Sequence, residues 1–361
     1  MLMEGWTCMK KLFSVLMAVF IVFSLSSCGN TWGNDAQTGD VKPPGKKADI
    51  VDGKPEESPE PVDYNKVKPN ELGQVMILMY HEIGGKESEW VRTPDNFRKD
   101  LQALYDKKYR LISLNDLLDG NIKTVAGYTP VVLTFDDGDL GQFKVKMVDG
   151  RPRPDPDSAV GILLDFYKQH PDFGKAATFY IYYPLPFREK DYIDYKLKFL
   201  AENGFEIGNH TYTHSSLSKL DGNGIEKELG LNVRHTQDHL QGYDVDTLAL
   251  PYGSVSKEYA GYLLKGSYEG TPYHNKAVLL VGANPSKSPY DAEFNDLKVP
   301  RIRASEMDVE GLGIYDWIAY FDKHPDKRYI SDGDPNTVVV RKDMADKVNK
   351  SMLDAKKIAS Y

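Results

Sequence analysis

Residues 131–138 read Val-Val-Leu-Thr-Phe-Asp-Asp-Gly, a largely apolar run that ends in two adjacent carboxylates and a glycine. The run is short and rich in β-branched residues, which predicts a buried strand. Two aspartates at such a strand end are costly unless they are paired or bind a metal ion. Successive side chains of an extended chain point to opposite sides, so either Asp136 or Asp137 can bind a metal while the other faces water or substrate. Taken alone, the motif also fits a solvated turn at Gly138.

The sequence around this run alternates between short apolar segments and amphipathic segments. Predicted strands cover residues 75–79, 131–135, 176–181, 205–207, 247–250 and 277–281. Predicted helices begin at Pro94, with Thr93 as the cap, and cover residues 192–202, 225–240 and 314–321. This alternation is typical of a parallel α/β protein, and the number of units favours a barrel over a small open sheet. Residues 139–157 are polar and proline-rich, which indicates a lid or a substrate-facing insertion.

The N-terminal region has the pattern of an export signal. Lys10 and Lys11 precede an apolar run over residues 12–25, which is too short to span a bilayer comfortably and suits a secretory signal. Ser-Ser-Cys-Gly follows at residues 26–29 and resembles a bacterial lipobox, which implies cleavage before Cys28 and lipidation of its thiol. A plain signal peptide is the alternative. Translation can begin at Met1 or at Met9.

Composition separates a tether from a folded domain. Residues 29–70 are polar and rich in glycine and proline, which predicts a disordered tether, and residues 71–361 form the predicted domain. If residue 8 is removed with the signal and Cys28 is lipidated, no disulfide can form, since the chain has two cysteines. The net charge of −8 argues against a nucleic-acid partner and is compatible with a neutral glycan. No protein partner is inferred.

Polar side chains follow the predicted strands repeatedly. In a parallel barrel the carboxyl ends of all strands lie on one rim, where active sites are found, so groups distant in sequence would meet there. The candidates that follow an apolar run are His81, Asp136, Asp137, His210, His214, Tyr252 and Arg301.

The segment His-Thr-Tyr-Thr-His at residues 210–214 has a spacing suited to a divalent ion. On a helical turn, this spacing would place His210 and His214 on one face. The spacing is weak by itself, but these two imidazoles follow a strand and a carboxylate of the 136–137 pair is available.

These motifs together carry a family resemblance. Residues 134–138 (Thr-Phe-Asp-Asp-Gly), 210–214 and 250–253 (Leu-Pro-Tyr-Gly) resemble, in order, the polysaccharide deacetylase family, also called the NodB homology domain or carbohydrate esterase family 4. Residues 78–83 (Leu-Met-Tyr-His-Glu-Ile) resemble the branch that includes poly-N-acetylglucosamine deacetylases. The match runs from about residue 74 to about residue 305. The resemblance implies a distorted (β/α) barrel.

The resemblance also implies roles for individual residues. The implied metal ligands are Asp137, His210 and His214. Asp136 would be the general base, Arg301 would orient it, the backbone N–H of Tyr252 would bind the oxyanion, and His81 would be the general acid. Arg303 is an alternative to Arg301.

Two features depart from the family pattern. Residues 248–250 (Leu-Ala-Leu) stand where many members carry an arginine, and the late Leu-x-x-His motif is absent. The role of general acid therefore falls to His81.

The predicted activity is removal of N-acetyl groups from an N-acetylglucosamine-containing polysaccharide outside the cytoplasm, by an enzyme anchored to the membrane through Cys28. Two imidazoles and one carboxylate favour Zn²⁺, with Co²⁺, Ni²⁺ and Mn²⁺ as alternatives. Two other functions are open: an O-acetyl esterase acting on acetylated glycans, and a surface lipoprotein that binds glycans without catalysis. The sequence does not decide between peptidoglycan, poly-N-acetylglucosamine and chitin-like polymers.

Overall fold

A computed structural model describes residues 62–361 of the chain. The predicted lipoprotein signal, residues 1–28, and most of the predicted tether, residues 29–70, lie outside these described residues. Among residues 62–361, no helix has the length and apolar character needed to cross a membrane.

The described residues contain helices and strands that alternate along most of the chain. The helices are α1 (Tyr64–Val67), α2 (Pro94–Asp106), α3 (Leu114–Leu118), α4 (Ala159–Gln169), α5 (Ile193–Glu202), α6 (Gly222–His239) and α7 (Ile314–Lys323). The strands are β1 (Met76–Tyr80), β2 (Glu82–Ile83), β3 (Val91–Arg92), β4 (Tyr109–Leu111), β5 (Thr129–Phe135), β6 (Val145–Val148), β7 (Arg151–Pro154), β8 (Thr178–Ile181), β9 (Glu206–Asn209), β10 (Thr247–Ala249), β11 (Lys265–Tyr268), β12 (Thr271–His274), β13 (Ala277–Leu279), β14 (Ile302–Arg303), β15 (Thr337–Val340) and β16 (Lys357–Ser360).

The main sheet is parallel and curls into a barrel. Its strand order is β13-β10-β9-β8-β5-β1-β14, and β4 pairs with the first half of β5. The segment before β14 closes the curl: Leu280 N donates to Val299 O at 2.9 Å, and Val299 N donates to Val278 O at 3.0 Å. The prediction of an α/β protein with a distorted (β/α) barrel is therefore confirmed.

Alternate residues of the central strands pack on opposite faces of the sheet. In β5, Val131, Leu133 and Phe135 belong to the core beneath the outer helices, whereas Val132 points into the other core with Ile77 of β1. All seven residues of β5 are buried. A strand buried on both faces reads as a continuous apolar run, which is the pattern that residues 131–135 show.

The predicted strands and helices are present with shifted ends, and the helix at Pro94 begins as expected: the Thr93 side chain accepts a hydrogen bond from Asn96 N. The short elements α3, β4 and β14 and the longer α4 were not predicted. Residues 139–157 do not form an irregular loop. They contain a short 3₁₀ turn at Leu140–Gln142 and the antiparallel pair β6–β7.

The ends of the described chain meet at the base of the barrel. Asn70 Nδ2 donates to the carbonyl oxygens of Asp326 and Arg328, both at 3.0 Å, and Val339 N donates to a carboxylate oxygen of Glu71 at 2.8 Å. The Tyr361 hydroxyl donates to Pro69 O at 3.0 Å. Residues 64–70, placed in the tether from the sequence, are thus held against the domain.

Candidate active site

The carboxyl ends of the central strands open into one cavity of about 560 Å³, a size typical of small-ligand sites. Side chains that follow β1, β5, β9, β10 and β13 line it, and six of the predicted site residues are among them: His81, Asp136, Asp137, His210, His214 and Tyr252. The seventh, Arg301, lies directly beneath the cavity, bound to Asp136.

Asp136 and Arg301 form a buried bidentate ion pair. Arg301 Nη1 donates to Asp136 Oδ1 at 2.7 Å, and Nη2 donates to Oδ2 at 2.6 Å. Arg301 is itself fixed, because its Nε donates to Leu280 O at 2.9 Å and its Nη1 also donates to Thr134 Oγ1 at 3.1 Å. The alternative arginine, Arg303, pairs instead with Glu89.

The charge of Arg301 decides the protonation of Asp136. Burial raises the pKa of the Asp136 carboxyl, but the guanidinium charge and its hydrogen bonds outweigh this and hold the pKa below its usual value. Asp136 is therefore an anion at neutral pH. Each carboxylate oxygen has two lone pairs, so the bidentate pair leaves acceptor capacity for a proton from the cavity.

Asp137, His210 and His214 converge beside this pair. Asp137 Oδ1 lies 3.3 Å from His210 Nε2 and 3.1 Å from His214 Nε2. Within residues 62–361, these three form the one group of His, Cys, Asp or Glu side chains close enough together to share a metal ion.

The donor set of this group fits a divalent cation. His210 Nδ1 lies 2.9 Å from Ala249 O, so it carries the proton and leaves a lone pair on the Nε2 that faces Asp137. Asp137 Oδ1 is buried and has no hydrogen-bond partner among the described residues. Lone pairs that face one another in a buried site are costly unless a cation lies between them. One carboxylate and two imidazoles are ligands typical of Zn²⁺.

The electrostatics agree with this fit. Burial lowers the pKa of His210, but the Asp136 and Asp137 carboxylates outweigh burial and leave the pKa raised. Burial raises the pKa of Asp137, but the two facing histidine rings reverse this and hold the pKa far below its usual value. The negative potential that favours a proton at His210 also favours a metal cation.

The histidines do not lie on a helical turn, and this part of the prediction is wrong. Residues 210–216 form an irregular loop in which Thr211 and His214 have φ values of 62° and 57°. The loop is fixed from α6: Asn232 Nδ2 donates to Thr211 O at 2.8 Å, and the Glu228 carboxylate accepts from Thr213 N at 2.8 Å. These contacts hold a left-handed backbone conformation, which residues other than glycine adopt only at an energetic cost.

His81 and Tyr252 both line the cavity. The imidazole of His81 meets the Trp90 ring edge-on, with ring centroids 4.7 Å apart. Burial lowers the pKa of His81, and the nearby Asp136 and Asp137 charges offset this only in part. Tyr252 has a left-handed φ of 60°, and the centroid of its ring lies 5.0 Å from the centroid of the His214 ring.

Two further residues support the site and were missed from the sequence. Gln142 is fully buried, and its Nε2 donates to the carbonyl oxygens of Asp136 and His81, the latter at 2.9 Å. Arg188 Nη2 donates to Asp137 O at 3.2 Å, at a residue whose φ is 77°. Gln142 lies in the polar insertion and Arg188 in a loop after β8, where no periodic pattern distinguishes them.

Comparisons with known proteins agree with the motifs. The polysaccharide deacetylase family model matches residues 125–269. Peptidoglycan-N-acetylmuramic acid deacetylase PdaC of Bacillus subtilis (strain 168) is 30% identical over 156 residues, which is 42% of this chain and 26% of the relative. The match thus spans about a quarter of that curated relative's length. The family resemblance inferred from the motifs is confirmed.

A solved deacetylase structure shares the architecture. The Streptococcus pyogenes deacetylase PplD in complex with acetate aligns with a TM-score of 0.51 and 18% identity, covering 68% of this chain and 97% of that chain. At this identity the likeness shows the fold. IcaB from Ammonifex degensii aligns with a TM-score of 0.48 and 18% identity, covering 69% of this chain and 97% of that chain.

Proposed function

We propose that this chain, whose residues 125–269 match the polysaccharide deacetylase family model, is a divalent-metal-dependent hydrolase that removes N-acetyl groups from an N-acetylglucosamine-containing polysaccharide outside the cytoplasm. The observation that carries the proposal is the convergence of two adjacent aspartates with different partners in one cavity. Asp137 faces two imidazoles, and Asp136 is held by Arg301.

The chain's own residues account for the proton transfers of amide hydrolysis. Asp136, kept ionised by Arg301, is the general base that removes a proton from the attacking water. The backbone N–H of Tyr252 stabilises the oxyanion, and His81 protonates the leaving amine. Lowering the pKa of His81 by burial makes its protonated form a stronger acid.

Asp137, His210 and His214 would hold the metal ion. When bound, such an ion supplies Lewis-acid chemistry, since it lowers the pKa of a water and stabilises negative charge on an acyl oxygen. Zn²⁺ is the ion we propose, with Co²⁺, Ni²⁺ and Mn²⁺ as substitutes to be compared.

An amino-sugar amide is the substrate class that the name of the relative PdaC supports. PdaC is by name a deacetylase of N-acetylmuramic acid in peptidoglycan, and it is 30% identical to this chain over the aligned residues. We propose N-acetylglucosamine units as the substrate here. An O-acetyl ester is the competing substrate, because the same groups can attack an ester carbonyl.

Released acetate tests this function directly. The purified full chain is incubated with N-acetylglucosamine oligomers, peptidoglycan, poly-N-acetylglucosamine and acetylxylan. We expect acetate from an amino-sugar polymer, loss of activity with a chelator, and recovery with Zn²⁺. Acetate from acetylxylan alone would favour the esterase, and no acetate from any polymer after Zn²⁺ addition would favour a glycan-binding protein.

The location is proposed from the N-terminal sequence. Residues 1–28 would direct export, Cys28 would carry the lipid, and residues 29–61 would tether the domain outside the cell membrane. Labelling cells with a radioactive or clickable fatty acid should mark the wild-type protein but not Cys28→Ala. Equal labelling of both proteins would contradict lipidation at this cysteine.

A further inference from the structure

A second cavity adjoins the active site. It measures about 320 Å³, at the lower end of the range for small-ligand sites. We call it the side pocket, and its lining includes Met79, Trp90, Val281, Arg303, Asp308 and Leu312. Trp90 and Val281 also line the active-site cavity, so the two cavities share a wall.

We propose that the side pocket binds the sugar unit next to the one being deacetylated, and that it favours neutral or N-deacetylated units over units that carry a carboxylate. This inference rests on the proposed function. A polymer that places one unit at Asp136 must place its neighbour against an adjoining surface, and the side pocket is such a surface.

Trp90 is a fixed aromatic platform between the two cavities. The centroid of its ring lies 4.7 Å from the centroid of the His81 ring and 4.8 Å from the guanidinium carbon of Arg303. Arg303 is held in turn by the Glu89 carboxylate and the Asp308 carbonyl. Despite these contacts, 40% of Trp90 remains exposed. A ring that is already immobilised stacks on the apolar face of a sugar without a further ordering cost.

Exposed apolar groups gather at these cavities. Of the thirteen large apolar side chains exposed within residues 62–361, four line one cavity or both: Trp90, Tyr252, Val281 and Leu312. Exposed apolar groups clustered with polar residues mark ligand grooves more often than scattered ones do. The cluster is therefore consistent with a groove along which a glycan chain lies.

The polar groups of the side pocket set its preference. Asp308 and Glu310 are exposed carboxylates in its lining, whereas the guanidinium of Arg303 is already paired with Glu89. Carboxylates accept hydrogen bonds from sugar hydroxyls and attract the ammonium of a free amino sugar. They repel an acidic sugar, because like charges brought together across an interface are costly.

Chain-length dependence tests the side pocket. Turnover is measured on N-acetylglucosamine as the monomer and as the oligomer of five units, because only the monomer leaves the side pocket empty. For Trp90→Ala we expect the ratio of kcat/KM between the pentamer and the monomer to fall about tenfold, which is ~1.4 kcal/mol. Trp90→Phe should retain part of the ratio. Tyr262→Ala is the matched control, because Tyr262 is also 40% exposed and lines neither cavity.

Binding without turnover separates the two proposals. Calorimetry with the fully deacetylated glucosamine pentamer should show weaker binding for Trp90→Ala and for the double variant Asp308→Asn with Glu310→Gln. Binding that depends on Trp90, without acetate release from any polymer, would overturn the proposed function and leave the side pocket standing. Acetate release with an unchanged length ratio in folded Trp90→Ala would overturn the side pocket.

Discussion

Asp136 and Asp137 are adjacent in the chain and face different partners. The strand geometry of β5 ends at Phe135, and the left-handed φ of 77° at Asp137 turns its side chain toward the histidines while Asp136 points at Arg301. One peptide unit thus separates a proposed proton acceptor from a proposed metal ligand. Each role can therefore be removed by substituting one of the two aspartates without the other.

Asp136→Asn should abolish turnover and leave metal binding intact. The amide cannot accept the water's proton, so we expect a loss of about 10²–10⁴-fold in kcat. Metal content measured by mass spectrometry should match the wild type, since Asp137, His210 and His214 are unchanged. A matched loss of metal, or full activity, would contradict the role assigned to Asp136. Thermal melting checks that the unpaired Arg301 does not unfold the protein.

Arg301→Lys should shift the pH dependence of activity. Lysine cannot make the bidentate pair, so the influence that lowers the pKa of Asp136 weakens and that pKa rises. The acid limb of the kcat/KM profile should therefore move to higher pH. Arg341→Lys is the control, because Arg341 makes a similar two-point contact with Asp343 at the surface. Equal profiles for wild type and Arg301→Lys would contradict the positioning role.

At the scale of elements, the site depends on close contact between a 3₁₀ turn and a short strand. The 3₁₀ turn Leu140–Gln142 packs on β2 so closely that a Cβ on Gly141 would lie 1.6 Å from Ile83 O. The next residue, Gln142, bridges the carbonyls of His81 and Asp136. A small residue at position 141 therefore lets one loop hold the ends of β1 and β5 together.

Gly141→Ala should weaken both stability and activity. The added methyl group must displace backbone, for which we expect about 1–3 kcal/mol of lost unfolding free energy in urea and reduced kcat. Gly85→Ala is the matched control, since no atom lies within 4 Å of a Cβ at that position. Wild-type stability in Gly141→Ala would show that the loop accommodates the methyl group.

The secondary-structure elements also determine which residues of the site could be predicted from the sequence. His81, Asp136 and His210 directly follow strands of the main sheet, and parallel strands bring their carboxyl ends to one rim independently of the loop conformations. Gln142 and Trp90 reach the site through loops, whose paths depend on contacts between distant segments. The histidine spacing suggested a helical turn because four residues apart fits a helix, but Asn232 and Glu228 of α6 impose a loop instead.

At the scale of the molecule, a buried carboxyl group joins the two ends of the described chain. Glu71 accepts hydrogen bonds from Val339 N at 2.8 Å and from the Tyr329 hydroxyl at 3.0 Å, and so joins the segment before β1 to the C-terminal strands. Asp332, which is also buried, lies close by. Two buried carboxyls in one place tie the stability of the whole domain to pH.

The stability of the domain should fall as pH rises from about 4.5 to about 8. Burial first, and then the charge of Asp332, raise the pKa of Glu71 from 4.5 to about 8. The protonated form is thus favoured in the folded state. Its stabilising contribution is complete below the unfolded pKa and is lost as pH rises through the folded pKa. Between these two values, each step of one in pH removes about 1.4 kcal/mol of unfolding free energy.

Glu71→Gln should flatten this dependence, because the amide keeps an acceptor for Val339 N and offers N–H donors to Asp332. Urea unfolding between pH 5 and pH 9 measures it, with Glu202→Gln at an exposed position as the control. Parallel slopes for wild type and Glu71→Gln would show that Glu71 is ionised throughout. A flatter slope in Glu71→Gln alone would place the pH-sensitive junction at the contact between the two ends of the described chain.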